Sequence, residues 1–212
     1  MARRAPITST ANVGEQRELR VDELPQGTIA LAKFLLGKVL VRDGSGGRQT
    51  GRIVETEAYP PGDDAGHARS GRTARNASLF RATGHVYVYR AYGISMMLNI
   101  TSEREGVGAG VLIRALEPLT GIDAMRQRRG LDDIYRLTQG PGRLTQALAI
   151  DLSLDGRLYA LDSGLWLGDD GFGAPAIGRS VRIGITRNPE QLWRYYVRGN
   201  RWVSGPGRLN KA

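Results

Sequence analysis

Two glutamates and a tyrosine alternate along one stretch of the chain, at Glu55, Glu57 and Tyr59. Alternate residues of an extended strand point to the same face, so these three side chains would lie side by side. A carboxylate could activate a water there, and the ring could stack on a planar group. The spacing leaves open which glutamate acts, and whether both are only solvated side chains of an edge strand.

Further aromatic candidates follow Tyr59. His67 lies in a polar loop, where it could bind a neighbouring group or contact a planar ring. Tyr87 and Tyr89 share a strand face, and packing is the commoner role for such a pair. Tyr92 is predicted at the turn of a hairpin. It would either fold back onto the sheet or project as a wedge between stacked bases, and we weigh the two alternatives equally.

The charge of the chain is strongly positive, with a net charge of +9 that arginine dominates. Guanidinium forks suit phosphate geometry, so the composition favours a nucleic-acid partner over a general arginine bias. Arg72 and Arg75 lie in a basic stretch beside the acidic and aromatic residues, and we expect them to contact a phosphate backbone. The backbone amides around Gly142, at the start of a predicted helix, could bind another phosphate.

Composition also excludes several kinds of site. The chain has no cysteine, which excludes disulfides, thiolate zinc sites and cysteine nucleophiles. Two histidines are too few to favour a transition-metal site, although carboxylates could hold magnesium, and we expect neither metal nor cofactor. Scarce lysine disfavours a Schiff-base mechanism. No apolar run has the length of a membrane helix, so we expect no membrane partner.

The elements that would position these residues predict an α+β fold. We expect one domain with a curved, largely antiparallel sheet, flanking helices and a protruding β-hairpin, covering residues 19–212 after a flexible N-terminal arm at residues 1–18. Strands are predicted at residues 38–42, 49–59, 86–90, 97–101, 111–117, 165–167, 180–185, 195–197 and 202–203, joined by a long polar connection at residues 60–84. Helices are predicted at residues 28–36, 120–129 and 140–150, with a Thr120–Asp123 capping box and Gly130 at the end of the second.

Several motifs, in order, resemble the alkyladenine (3-methyladenine) DNA glycosylase family. They cover about residues 31–204 and comprise Arg52–Tyr59, Asp63–His67, Gly71–Arg72–Thr73 with Arg75–Asn76, Tyr87–Val88–Tyr89, Tyr92–Gly93, Val111–Pro118, Met125–Arg126, Arg128–Arg129, Gly140–Pro141–Gly142 and Tyr196–Gly199. The number and order of the motifs make the resemblance specific. One departure is Ser95–Met96–Met97, where relatives carry an aromatic residue or histidine and then a cysteine.

The resemblance implies a role for each candidate. Glu57 would be the general base that deprotonates the attacking water, and Arg114 would orient that water. Tyr59, His67 and Tyr89 would stack on the flipped base, and His67 would also form a hydrogen bond to it. Asn99 would exclude the amino group of guanine. Tyr92 would insert into the gap that the flipped base leaves in the duplex.

The implied function is excision of alkylated or deaminated purines from double-stranded DNA by a monofunctional glycosylase. The substrate class would include 3-methyladenine, 7-methylguanine, hypoxanthine and ethenoadenine, without a lyase step or a cofactor. We expect a monomer in the bacterial cytoplasm, associated with the nucleoid. Two alternatives stay open: a non-catalytic DNA-binding module with the same cage, and an RNA-binding accessory domain.

Overall fold

The computed structural model of the protein describes residues 16–211, and its chain alternates strands with short helices. The strands are β1 (Arg17–Glu18), β2 (Val39–Gly44), β3 (Gly47–Tyr59), β4 (Val86–Ala91), β5 (Ser95–Thr101), β6 (Gly110–Thr120), β7 (Leu165–Asp169), β8 (Ile177–Ser180) and β9 (Arg194–Val197). The α-helices are α1 (Thr28–Phe34), α2 (Ile122–Arg129) and α3 (Pro141–Ala147).

All of these strands belong to one open antiparallel sheet. Its order is β1-β7-β2-β3-β6-β5-β4, and β9 joins the sheet by pairing with both β3 and β8. The β4–β5 hairpin forms one end of that order. The predicted α+β fold on a largely antiparallel sheet is therefore confirmed.

Strand β3 lies in the middle of the sheet, because it pairs with β2, β6 and β9. Glu55 and Glu57 are fully buried, so the solvated edge-strand alternative is wrong. The register of β3 against β6 shifts on both sides of Glu55, and Arg114 has no opposite residue in the ladder. Such a bulge re-aims a side chain, here the arginine beside both glutamates.

The apolar core fills the space between this sheet and the helices. Leu31 from α1, Ile53 from β3, Leu98 from β5, Ile113 from β6 and Leu144 from α3 are all fully buried in one cluster. Burial of such side chains supplies the main driving force for folding, at about 1.5–3 kcal/mol each. Within the described residues, no helix is long and apolar enough to cross a bilayer.

The start of α2 differs from the prediction. Thr120 ends β6, where its hydroxyl bonds to that of Thr50 at 2.9 Å, and Asp123 pairs with Arg126. The predicted capping box is wrong, because the N-cap is Gly121, in a left-handed conformation and without a side-chain hydrogen bond. Gly130 ends the helix with φ 62°, as predicted.

Other boundaries also differ. The strand predicted at residues 180–185 ends at Ser180, since Arg182 and Ile183 leave the ladder to contact buried carboxylates. Trp202 lies in a turn and Val203 has no regular structure, so no strand forms at 202–203, and α3 ends at Ala147 before the predicted Ile150. The last two residues of the predicted arm pair with β7 as β1, and residues 1–15 lie outside the described residues.

Candidate active site

A cleft of about 730 Å³ opens where β3, β4, β5 and β6 meet the loops after β3 and β8. Most residues that the sequence nominated line it: Tyr59, His67, Arg75, Tyr89, Tyr92, Asn99 and Arg114. Arg72 and Gly142 lie outside this lining. The fold therefore brings together residues that are up to 55 positions apart, while two of the predicted phosphate contacts lie beyond the cleft wall.

Glu57 lies directly behind the wall of the cleft. Its Oε1 accepts the backbone N–H of Ile183 at 2.7 Å, and its Oε2 accepts the hydroxyl of Tyr59 at 2.9 Å and lies 3.2 Å from Arg114 Nη1. All three partners line the cleft. A carboxylate oxygen has two lone pairs, so Oε1 with its single donor can still accept a hydrogen from a water.

Glu55 has different surroundings, although it lies on the same face of the same strand. It accepts hydrogen bonds from Arg114 Nε at 2.8 Å, Arg194 Nε at 2.7 Å, and both the backbone N–H and the hydroxyl of Ser204. Arg194 is fully buried, and neither it nor Ser204 lines the cleft. Burial raises the pKa of Glu55, but Arg114 and Arg194 outweigh it and hold that pKa below its ordinary value.

Arg114 connects the two glutamates. Its Nε binds Glu55 while its Nη1 lies beside Glu57, so one guanidinium fixes both carboxylates. Burial lowers the pKa of Arg114, but Glu57 and Glu55 outweigh burial and raise it, so the side chain stays charged. This contact, at 3.2 Å from Nη1 to Oε2, fixes the orientation of the Glu57 carboxylate.

Aromatic rings that line the cleft, among them Tyr59, His67 and Tyr89, form a cage. The rings of His67 and Tyr89 have centroids 4.3 Å apart at an angle of 66°, and His67 Nδ1 lies 2.8 Å from the hydroxyl of Tyr87. Partial burial and then Arg75 lower the pKa of His67, so the ring is neutral at neutral pH. Burial and the charge of Glu57 raise the pKa of Tyr89 to about 12, so its phenol stays protonated.

The floor of the cleft is set by the β4–β5 pair. Asn99 lies opposite Tyr87 and donates from Nδ2 to the Tyr87 carbonyl at 3.1 Å, which fixes the amide of its buried side chain. Met97 lies opposite Tyr89 and lines the cleft at the position where the family pattern differs. The loop that carries His67 is held by Asn76, whose Nδ2 donates to the His67 carbonyl at 2.9 Å.

Tyr92 projects from the tip of the hairpin. Its exposed fraction is 90% and its φ is 51°, so the alternative in which it folds back onto the sheet is wrong. Ile94, at the same tip, is 86% exposed and was not nominated from the sequence. The sequence did contain a signal for Ile94, because this apolar residue directly follows the turn glycine Gly93. The hairpin tip therefore carries two solvent-exposed apolar side chains, Tyr92 and Ile94.

Arginines occupy the rim. Arg75 donates from Nη2 to the carbonyl of Arg90 at 3.2 Å, and Arg90 and Arg187 also line the cleft. Arg72 is exposed. The sequence did not single out Arg90 and Arg187, because nothing local separates them from other surface arginines.

Gly142 lies at the start of α3, beside a polar recess that Arg129 and Arg143 also line. A Cβ on Gly142 would lie 2.9 Å from the side chain of Ser95, so the close packing of α3 on β5 accounts for this glycine. Partial burial lowers the pKa of Arg129, and the nearby charges of Arg143 and Arg136 lower it further.

Comparisons with known proteins agree on one family. Residues 22–201 match the family model described as methylpurine-DNA glycosylase. A protein of Mesorhizobium japonicum with the provisional name 3-methyladenine DNA glycosylase is 56% identical over 189 residues, covering 89% of this chain and 91% of its own length. A protein of the same provisional name from Paraburkholderia phytofirmans is 47% identical, with 89% and 88% covered. A third, from Chlorobaculum parvum, is 48% identical, with 84% and 86% covered.

Proposed function

Because the chain belongs to the methylpurine-DNA glycosylase family and is thus a DNA glycosylase, a hydrolase of DNA repair, we propose that it excises alkylated and deaminated purines from duplex DNA. The target nucleotide would rotate out of the helix into the cleft. A water would then replace the base at the anomeric carbon of the sugar. The product is an abasic site with both strands intact.

The position of Glu57 carries this proposal. A water beside Oε1 would give its proton to Glu57 while its oxygen attacks the anomeric carbon. The bond from that carbon to the base nitrogen breaks, and its electron pair leaves with the base. Arg114, whose Nη1 lies 3.2 Å from Glu57 Oε2, holds the carboxylate and would orient the water. Glu55, bound to groups of the interior, would take no part in proton transfer.

The cage would select the base. Tyr59, His67 and Tyr89 would stack on the flipped purine, and a cationic base such as 3-methyladenine or 7-methylguanine would gain cation–π attraction. Hypoxanthine and ethenoadenine are neutral and would depend more on a hydrogen bond from His67. Asn99 would exclude purines that carry the guanine amino group. A cationic lesion already has a weakened glycosidic bond, so it needs less assistance than a neutral one.

Contacts at the edge of the cleft and beyond it would bind and open the duplex. Tyr92 would fill the gap that the flipped base leaves, which its exposure at the hairpin tip supports. Arg72 and Arg75 would bind backbone phosphates, and the amide of Gly142 would bind another beside Arg129 and Arg143. The net charge of +9 supports an electrostatic contribution of this kind.

We propose base excision without a lyase step, by a monomer, with neither metal nor cofactor. A lyase step needs an amine near the sugar, and none of the described residues that line the cleft is a lysine. Lys38 is bound to Asp169 at 2.7 Å, and Lys33 lies over the ring of Tyr195. These contacts support hydrolysis by water over attack by an amine.

The test uses end-labelled duplexes that carry a single hypoxanthine, ethenoadenine or stable 3-methyladenine analogue. Each is incubated with the protein in EDTA and divided, and one half is heated in alkali. Strand breaks only after alkali are expected, with intact duplex as the control. Breaks without alkali would contradict the monofunctional assignment, and binding without any breaks would favour the non-catalytic module.

A further inference from the structure

A second buried ion pair lies beside the cleft and takes no part in the chemistry proposed above. Asp63, in the loop after β3, faces Arg182, in the loop after β8, and both side chains are fully buried. The contact is bidentate: Arg182 Nη2 donates to Asp63 Oδ1 at 3.0 Å, and Nη1 donates to Oδ2. Desolvation offsets most of the attraction in a buried pair, so stability alone is a weak reason for it.

Arg182 also supports the back of the base cage. Its guanidinium carbon lies 4.6 Å from the centre of the Tyr59 ring and 5.0 Å from that of Trp193. Its Nη1 also donates to the carbonyl of Ala58 at 3.1 Å. The arginine therefore fixes the strand end and the ring that donates a hydrogen bond to Glu57.

Ile183, which follows Arg182 in the chain, directly contacts Glu57, the proposed general base. The backbone N–H of Ile183 donates to Glu57 Oε1 at 2.7 Å. Arg182 precedes Ile183 in the chain, so a shift of Arg182 would move this donor. On the other side, Asp63 Oδ1 accepts the amide of Ala65 at 3.2 Å, in the loop that leads to His67. The pair thus joins two loops that both line the cleft.

We infer that Arg182 and Asp63 are positioning residues, which set the orientation of Glu57 through Ile183 and Tyr59. The inference rests on the proposed role of Glu57. Neither residue touches the substrate in this assignment. Their contribution lies in holding the two loops and the Tyr59 ring in the geometry that the attack by water requires.

The chain offers a matched control. Arg52 and Asp170 form another bidentate pair, with Nη2–Oδ2 at 2.7 Å and Nη1–Oδ1 at 3.0 Å. Arg52 also stacks on an aromatic ring, that of Phe172, and also donates to a backbone carbonyl, that of Gly37. None of these four residues lines the cleft. The two pairs share their chemistry and differ in where they lie.

The experiment compares Arg182→Met, Asp63→Asn and Arg182→Lys with Arg52→Met. Single-turnover excision of hypoxanthine is measured at saturating protein and corrected for the folded fraction from thermal unfolding. Arg182→Met and Asp63→Asn should each lower the rate roughly 10- to 100-fold, since small misplacements of a catalytic group have effects of that size. Arg182→Lys keeps the charge without the planar fork and should recover stability but little of the rate. Arg52→Met should lower stability and leave the rate of the folded protein unchanged.

Binding separates positioning from simple loss of structure. In a Glu57→Gln background, adding Arg182→Met should change the Kd for the hypoxanthine duplex by no more than about threefold. If the folded fractions of Arg182→Met and Asp63→Asn excise at the wild-type rate, or if Arg52→Met loses as much rate, the inference is wrong. If Glu57→Gln itself excises normally, the proposed function fails instead, whatever the ion-pair variants do.

Discussion

Glu55 and Glu57 are two residues apart on one strand, equally buried and bound to the same arginine, yet they belong to different regions of the molecule. We call Glu55, Arg194 and Ser204 the interior cluster and Glu57, Tyr59 and Ile183 the cleft cluster. Among the described residues, the partners of Glu55 other than Arg114 lie outside the cleft lining, whereas the partners of Glu57 line the cleft.

The difference shows that burial and charge do not identify a catalytic carboxylate. In the interior cluster, Arg194 also binds Ser180, Leu209, the Ser204 carbonyl and Asn210, so the charges tie strands to the C-terminal segment. In the cleft cluster, the donors hold Glu57 from a wall that a substrate can reach. A functional site is thus recognised by where the partners of a charged group lie.

The largest loss of stability is expected for Glu55→Gln. It removes a negative charge that Arg194 and Arg114 share, leaving Arg194 buried without a charged partner. We expect a loss of about 3–5 kcal/mol in the free energy of unfolding, measured in urea. Excision by the folded fraction should fall far less than with Glu57→Gln. A stable but inactive Glu55→Gln would assign the chemistry to the interior cluster.

The next effect concerns the hairpin beside the cleft cluster. Tyr92→Ala should weaken binding to a lesion duplex by about 1–3 kcal/mol, the range found for lost stacking on a base. Excision from a mispaired lesion should be less affected, because flipping then costs less. Fluorescence anisotropy measures the Kd, and Leu161→Ala, an exposed apolar residue, is the control. Equal affinities for Tyr92→Ala and wild type would show that Tyr92 does not insert into the duplex.

A pH titration of stability probes the interior cluster. The arginines outweigh burial and hold the pKa of Glu55 below its ordinary 4.5, so the unfolded chain binds this proton more tightly than the folded protein. The resulting stabilisation is fully present above pH 4.5 and is lost as the pH falls through the lower pKa of the folded protein. Urea unfolding from pH 7 downward should show this loss, and Glu55→Gln should show less of it. If the free energy of unfolding fell with pH equally in wild type and Glu55→Gln, this pH dependence would not come from Glu55.

The smallest effect tests how far contacts with DNA phosphates extend beyond the cleft. Arg72→Ala should weaken binding a few-fold and lower the salt slope of log Kd by about 1, as for one lost phosphate contact. Arg20→Ala is the control, since Arg20 is exposed and already paired with Asp22. An unchanged salt slope in Arg72→Ala would confine phosphate contacts to the rim of the cleft.

Local sequence patterns were enough to predict several residues of the site and the hairpin beside it. Alternation placed Glu55, Glu57 and Tyr59 on one face, and the family resemblance chose Glu57 between the two acids. The turn at Tyr92–Gly93 was also recognisable, because a glycine between two apolar strand segments is typical of a hairpin turn.

Other contacts were beyond the sequence for physical reasons. The donor to Glu57 Oε1 is a backbone N–H, which any residue other than proline at position 183 could supply. Asp63 and Arg182 are 119 residues apart and meet only after both loops fold, so no spacing rule connects them. The capping box failed because Thr120 continues the ladder of β6, and tertiary pairing overrode the local helix signal.

The most direct measurement is single-turnover excision of hypoxanthine from duplex DNA by Glu57→Gln, at saturating protein and neutral pH, beside wild type. We expect a rate lower by a factor of about 10²–10⁴, the usual contribution of a general base, with lesion binding and the thermal unfolding midpoint close to wild type. A Glu57→Gln protein that excises at the wild-type rate would contradict the assignment of Glu57 as the base.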